Sequence, residues 1–600
     1  MTRSSRLLVA LAAAVGMACE GRPQSAAVTA KPPRKGPAVA VIDLSGGAPE
    51  IEAGGLLGAA PGRRRSFDSL LDALNEASAD KDTKAVVVRF GAAHLGMARA
   101  EELGAALARV RAKLPVYCHA HGYTNATLMV AAQGCTKTWV SPAGEVEAIG
   151  IAAQVVYMHK LLSDELHLDV NFLQVGKFKG AEEPLTRDGP SDEARASLEG
   201  TLGDLRGSWL KAISDAKKNP NLALEDGPYG PQAAKAAGLV DFVGYEDETG
   251  EFAKKETGAV REVVRFGPGA QDGEDGIGDV LRAIAGPGAS APIVVVRAVG
   301  QISMGGGGGL MGDGGGITHA RLSRQLARIE RDDDIKVVVL RIDSPGGSAL
   351  ASDLMWHQLM RVRAKKKLVV SIGEMAASGG YYLASSADFV FADATSIVGS
   401  IGVVGGKIAV GDALERVGVH AETFSADAKN PSARARAAYA SPLIAWDEPT
   451  KLRVYESMKS VYDLFLARVA EGRKISVEKV AASAEGRIFS GREGKARGLV
   501  DELGGLEAAI AKARELAGLP GDAKVDVLTA RSRVAELLGG SADDGAESRN
   551  PVSAASVVGA EVASWAERGV PGLAAYAGSL HPLIEGEHAV CALPFALTVR

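Results

Sequence analysis

The feature that most restricts this chain is that it is written twice. Asp80-Lys-Asp-Thr-Lys-Ala-Val-Val-Val-Arg89 returns as Asp332-Asp-Asp-Ile-Lys-Val-Val-Val-Leu-Arg341. Val140-Ser-Pro through Ala148-Ile-Gly-Ile151 returns as Phe391-Ala-Asp through Ser400-Ile-Gly-Val403, and Ala234-Lys-Ala-Ala-Gly-Leu-Val-Asp241 as Gly494-Lys-Ala-Arg-Gly-Leu-Val-Asp501. Matches in one order, at offsets of 252, 251 and 260 residues, require an architecture that half of the chain can form. Within each half, short β-branched runs alternate with helical spacing. Val337–Ile342 is of strand length and interrupted only by Arg341, whereas Ala320–Ile329 and Ala351–Val362 carry helix-type periodicity. Buried strands alternating with helices predict an α/β fold, duplicated in tandem, with largely parallel sheets. The expected organisation is a first domain over 38–285, a second over 290–530 and a tail over 531–600, with a Gly-, Asp- and Pro-rich linker near 267–292. A glycine-rich stretch, Gly305–Gly316, reads as a surface loop, because no Gly-Lys-Ser/Thr follows it as a phosphate cradle would require.

The amino terminus reads as an address. Arg3 and Arg6 precede an apolar run from Leu7 to Met17, so residues 1–18 are expected to be an export signal, too short to span a membrane comfortably. Gly16-Met17-Ala18-Cys19 resembles a bacterial lipobox, with Gly16 where leucine is preferred; this implies lipidation at Cys19. Residues 19–37 read as a proline-containing tether, and the body is expected on the extracytoplasmic side of a membrane. A formal net charge of -5 supplies no cationic field for nucleic acid. Four cysteines show no zinc spacing; Cys118 and Cys135 are expected as separate buried thiols, with a disulfide the alternative. His119 and His121 alternate on one strand without a carboxylate at ligand spacing, so neither metal nor cofactor is expected.

The two copies differ where chemistry would sit. The strand Val337–Ile342 runs into Asp343-Ser344-Pro345-Gly346-Gly347-Ser348, whereas the first copy has Gly91-Ala-Ala-His-Leu-Gly96. The second copy then reads Ala376-Ala377-Ser378-Gly379-Gly380-Tyr381-Tyr382, and the first lacks the Ser-Gly-Gly. Conversely, the first copy carries Gly176-Lys177-Phe178-Lys179-Gly180-Ala181-Glu182-Glu183-Pro184, where the second has Thr423-Phe-Ser-Ala-Asp-Ala-Lys429-Asn-Pro431. A serine followed by glycines suits acyl transfer, because backbone N–H groups must approach the oxyanion without a Cβ in the way. The serine also requires a base. A lysine can serve if burial lowers its ordinary pKa of ~10.4 by roughly 2–3 units.

Asp-Ser-Pro-Gly-Gly-Ser, Ala-Ala-Ser-Gly-Gly-Tyr-Tyr, Gly-Ser-Ile-Gly-Val and Gly-Lys-Phe-Lys-Gly-Ala-Glu-Glu-Pro together resemble the signal peptide peptidase SppA (protease IV) family in its long, two-domain form, over roughly residues 38–530. The resemblance implies a crotonase/ClpP-like fold and a Ser–Lys dyad that cleaves peptide bonds, with Ser378 as nucleophile and Lys179 as general base. Gly379 and the Gly346-Gly347 turn are then the oxyanion-hole candidates, and Ser400 a residue that orients the lysine. It also implies cleaved signal peptides and other short apolar or unfolded segments as substrates, and a homo-tetramer at a membrane. Two other lysines compete: Lys177, which would share a face with Lys179 on a strand, and Lys429, which could act across a subunit interface. The competing functions are an acyl-CoA enzyme of the crotonase type and a non-catalytic scaffold lipoprotein.

Overall fold

The computed structural model describes residues 36–51, 66–91, 93–270, 291–305, 316–427, 429–528 and 589–591. The leader, Cys19, most of the tether, most of the glycine-rich loop and nearly all of the tail lie outside the described residues. Among the described residues no helix is long and apolar enough to cross a membrane.

The first half contributes β1 (Ala38–Asp43), β2 (Thr83–Arg89), β3 (Val116–Ala120), β4 (Lys137–Val140), β5 (Asp169–Val175), β6 (Phe242–Val243) and β7 (Arg261–Phe266). The second contributes β8 (Ile293–Val299), β9 (Ile302–Ser303), β10 (Ile317–Thr318), β11 (Val337–Ser344), β12 (Gly347–Ser348), β13 (Lys367–Ala377), β14 (Phe389–Ala392), β15 (Ile397–Gly399), β16 (Val403–Ala409), β17 (Ile488–Ser490), β18 (Glu502–Leu503) and β19 (Val525–Leu528). A last strand, β20 (Val590–Cys591), comes from the tail.

The duplication is visible strand for strand. The first sheet runs β6-β4-β3-β2-β1-β7 with parallel neighbours throughout; the second has eight strands, of which β18-β14-β13-β11-β8-β19 repeat that parallel order, while β15 pairs with β13 and, antiparallel, with β17. Helices connect consecutive strands, as parallel pairing requires. The second copy departs by lengthening its third strand: β13 has eleven residues against five in β3, and its final residues pair with β15 before the chain reaches Ser378. A third sheet, β10-β9-β12-β20-β16-β5, contains strands from both halves. In it β5 and β16 pair antiparallel from Val403↔Val175 to Ala409↔Asp169.

The strand sequences explain why the halves stay together. Val337 and Val339 of β11 share a core with Leu103, Leu107 and the helix Leu506–Leu516, while Val338, Leu340 and Ile342 face Leu359, Tyr382 and Phe465. Both faces of the strand are buried, so its sequence is a continuous apolar run. Arg341, its one interruption, points to the face shared with the first half. It is 1% exposed and donates to Glu50 (2.7 Å) and Glu102 (2.9 Å) of that half, and to Ser371 Oγ (2.8 Å). Burial alone would raise the Glu50 carboxyl, but the guanidinium outweighs it and holds the group below its ordinary range. Glu102, deeply buried and beside Glu50, is raised despite Arg341. Nearby, Arg99 and the backbone N–H groups of Ala98 and Arg99 donate to Glu374, and Ala394 and Thr395 donate to Glu101.

One expectation is corrected. Cys118 and Cys135 form a disulfide, with Cα atoms 5.9 Å apart, rather than lying as separate thiols. The helix Asn125–Gly134 returns the chain from β3 to the start of β4, which brings the two positions side by side.

Replacing Arg341 with methionine strands two buried carboxylates that face one another. We expect a loss of about 3–5 kcal/mol in urea unfolding; a loss below about 1 kcal/mol, the scale of an ordinary substitution, would contradict this ion cluster as the clamp between the halves.

Candidate active site

Ser378 stands at the junction of β13 and the helix Gly379–Ala384, with φ 55° and ψ −114°. Positive φ in a residue with a Cβ is sparsely populated and costs about 1–3 kcal/mol. Neighbouring hydrogen bonds impose it: Ser378 N donates to Gly399 O (2.8 Å), and Tyr382 N donates to Ser378 O (2.8 Å). Tyr381 and Tyr382 are buried below it, Tyr382 stacking on Phe465, so the Tyr-Tyr pair packs the core. Gly379 lies tight against the Gly346-Gly347 turn: a Cβ there would come within 3.2 Å of Gly346 Cα and 3.3 Å of Gly347 N. Gly346 and Gly347 have φ of 101° and 145°, conformations that favour glycine. The Gly346 N–H donates to Ser344 Oγ (3.2 Å) within its own turn.

Lys179 reaches this point from the other half. β5 ends at Val175, and the chain then turns through Gly176 (φ 105°) and Gly180 (φ 47°), so Lys177 and Lys179 are not on a strand and do not share a face. Lys177 is exposed and its ammonium lies over the Phe178 ring. Lys179 is 0% exposed, and its Nζ donates to Ser378 Oγ (2.7 Å), Ser400 O (2.8 Å) and Ser400 Oγ (3.0 Å). Lys429 is exposed, just before the helix Pro431–Ala437. Ser378, Lys179, Ser400, Gly379, Gly346 and Gly347 thus converge on one place, and Lys177 and Lys429 do not.

Other residues build this site without having been legible as part of it. Gly486 (φ 81°) presses its backbone on the lysine, and a Cβ there would come within 2.3 Å of Lys179 Cα. Gly402 leaves room for the lysine stem, since a Cβ at that position would lie 3.0 Å from Lys179 Cδ. Phe178 N donates to Glu485 O (2.8 Å), Gly180 N to Gln174 Oε1 (2.8 Å), and the Arg487 guanidinium lies 4.1 Å from the Phe178 ring centre. The segment Glu485-Gly486-Arg487 carries no side chain at the reacting atoms, and so no motif advertised it.

Glu182, three residues beyond the lysine, is buried with Oε2 lacking a hydrogen-bond partner. Burial, then the neighbouring Glu183, pushes its carboxyl from 4.5 up to about 7, with Lys179 pulling the other way. His119 and His121 lie elsewhere, at the end of β3, both against Ser141 Oγ at 3.3 Å. Burial and His121 lower His119 to about 4. Among the described residues no group of His, Cys, Asp and Glu is disposed to hold a metal ion.

Two duplicated α/β units thus bring a serine and a lysine together between them, and comparison with known proteins gives the class, a peptidase. The chain matches peptidase family S49 over residues 108–260 and 360–520, and it belongs to that family. It is 30% identical over 415 residues to "Serine protease SPPA, chloroplastic" of Arabidopsis thaliana, covering 66% of this chain and 57% of that protein. It is 30% identical over 485 residues to "Protease 4" of Salmonella typhi, 77% of this chain and 74% of that one. To "Protease 4" of Haemophilus influenzae it is 29% identical over 422 residues, 67% of this chain and 65% of that one. A ClpP1 from Listeria monocytogenes aligns with 36% of this chain and 94% of its own at 14% identity and a TM-score of 0.23, which adds nothing to the strand order.

Two outcomes follow from the packing. In Gly486→Ala the added methyl meets the backbone that carries Lys179, so peptidase activity should fall about 100-fold, the usual result of displacing a reacting group by an ångström, with circular dichroism unchanged; unchanged activity would contradict the contact. Because the Glu182 pKa is raised in the folded chain, stability should fall as pH rises from 4.5 to about 7. Glu182→Gln should remove that slope from thermal unfolding midpoints measured across the range, and an unaltered slope would show that the carboxyl titrates normally.

Proposed function

We propose that the chain is a serine endopeptidase in which Ser378 is the nucleophile and Lys179 its general base. The observation that carries this reading is the 2.7 Å contact between Lys179 Nζ and Ser378 Oγ, with both residues 0% exposed. Burial disfavours an ammonium ion. In the neutral amine the N–H bonds to the Ser400 carbonyl and hydroxyl are kept and the bond at Ser378 is reversed, so that the nitrogen, which donates to Ser378 Oγ as an ammonium, accepts the hydroxyl proton instead. Ser400 therefore orients the base.

The serine oxygen attacks the scissile carbonyl as Lys179 takes the hydroxyl proton. The tetrahedral oxyanion is met by the backbone N–H groups of Gly379 and Gly347, while Gly346, whose N–H is committed to Ser344, shapes the turn. Collapse expels the amine, to which Lys179 returns the proton, and water then releases the acyl group by the same route. Each oxyanion donor is worth roughly 100–1,000-fold in rate.

The substrates in this reading are cleaved signal peptides and other short apolar or unfolded segments, met on the extracytoplasmic side of a bacterial membrane. There the chain is anchored through Cys19 and assembled as a homo-tetramer. Arg3, Arg6 and the apolar run Leu7–Met17 support export, and the Cys118–Cys135 disulfide suits an oxidising compartment.

Peptide-library digestion tests the dyad. Ser378→Ala and Lys179→Ala should each lose at least roughly 1,000-fold in cleavage, and Lys177→Ala should keep it. Cleavage retained in Lys179→Ala and lost in Lys177→Ala would reassign the base, and cleavage retained in Ser378→Ala would remove the nucleophile.

A further inference from the structure

The first sheet has two edges of opposite charge. Its strands are all parallel, so their amino ends share one edge and their carboxyl ends the other. At the carboxyl edge β1 ends in Asp43, and Glu145, Glu246 and Asp247 follow β4 and β6. Along the amino edge, Lys81 stands in the turn before β2, Lys113 in the turn before β3, and Lys255 in the last turn of the helix Glu246–Thr257 that precedes β7. All three lysines are exposed and form no ion pair among the described residues. Asp80 and Asp82, which flank Lys81, are already engaged by Arg265 and Arg261. Lys84 and Arg111 add to the row, and Glu256 subtracts from it. The carboxyl end of a helix attracts a cation, but that pull fades beyond the last turn. Lys81 and Lys113 lie past the ends of their helices, at Ala79 and Arg111, so the dipole does not account for them.

The amino-terminal tether enters the fold through the middle of this row. Arg261 Nε donates to Gly36 O (3.0 Å), Val260 N to Pro37 O (2.9 Å) and Ala38 N to Asp82 O (2.9 Å). These bonds fix the chain between β2 and β7 at the start of β1, with Val260, 59% exposed, beside it. Neighbouring strands lie about 4.8 Å apart, so the starts of β3, β2, β1 and β7 span about 15 Å. Gly36 is 17 residues from Cys19, and a flexible chain of that length spans about 20–25 Å on average. An anchor at Cys19 therefore brings the cationic edge to a bilayer and leaves the acidic edge on the far side of the sheet.

We propose that the amino edge of the first sheet is a docking face for anionic phospholipid headgroups, on which the protein rests where its tether emerges. The direction of the membrane rests on the reading of Cys19 as the anchor. The partner is a bilayer surface rather than one bound phosphate, because the cations are spread along a row of strand starts and not gathered around a point. Each then acts through the surface potential of the leaflet. Nucleic acid would meet the same charges, but only a membrane explains why the tether emerges among them.

Co-sedimentation of the full-length chain with vesicles tests this, on phosphatidylcholine alone and on equimolar phosphatidylglycerol and phosphatidylcholine. The unmodified chain should prefer the anionic vesicles. A triple variant, Lys81→Gln with Lys113→Gln and Lys255→Gln, should bind them roughly 100-fold more weakly, at about five-fold per lysine. A control that removes as much charge elsewhere on the surface, Lys160→Gln with Arg453→Gln and Lys459→Gln, should lose less than about five-fold in all. Arginine at the three edge positions should keep the preference. Equal binding of the unmodified chain and the triple variant, an equal loss in the control, or failure of arginine to substitute would each overturn the proposal. Tighter binding of a DNA duplex than of the anionic vesicles would overturn it in favour of nucleic acid. Repeating the comparison in a Cys19→Ser background separates the face from the anchor. The same 100-fold difference there supports the face whether or not Cys19 carries lipid, and its disappearance would assign the selectivity to the anchor and overturn the face. Binding is read without catalysis, so these outcomes do not depend on Ser378 and Lys179 being the dyad.

Discussion

The antiparallel pairing of β5 with β16 is the contact on which the site depends. Neither half holds both members of the proposed dyad: Lys179 follows β5 in the first, and Ser378 and Ser400 precede β16 in the second. Seven paired positions fix the register between them. A slip by one residue would turn every side chain of β5 to the opposite face and carry the lysine turn away from the serine. The Glu485-Gly486-Arg487 loop then presses the turn from the second half, and the Arg341 cluster fastens the halves elsewhere along their shared core. The polar contacts at the site are short because the hydrophobic and ionic contacts around it leave little freedom.

The divergence of the copies shows how a duplicated fold becomes one site. Ser378 and Thr124 both open the helix that follows the third strand, but Thr124 has an ordinary extended backbone and caps its helix, whereas Ser378 is held at positive φ. At the repeat offset of 252, Ser400 corresponds to Ala148. Both keep the left-handed backbone, at φ 52° and 38°, yet only the second copy has a hydroxyl there. Arg341 and Arg89 stand at the same offset: the first reaches across to the other half, and the second pairs with Glu246 and Glu262 of its own. The first copy has kept the scaffold and lent one lysine.

The duplication, the alternation of strands and helices and the glycine-flanked serine were legible because each leaves a local pattern: period-2 burial, β-branched runs, positions where only glycine fits. Pairing across the halves was not, since register between strands more than 200 residues apart leaves no spacing in the sequence. For the same reason Lys177 and Lys179 looked equivalent on an assumed strand, and only the turn after Val175 separates them. Gly486 and Gly402 act through the absence of a side chain, and the Cys118–Cys135 bond depends on how a helix returns the chain.

The central claim is that an uncharged lysine amine activates the serine across the boundary between the halves. The most direct measurement is the rate at which a fluorophosphonate modifies Ser378, followed from acid to alkaline pH in the unmodified chain and in Lys179→Met. The account predicts fast modification that is lost as pH falls and the amine takes a proton, and a rate roughly 100–10,000-fold lower without that inflection in the variant. Equal rates and the same pH profile in both proteins would contradict it.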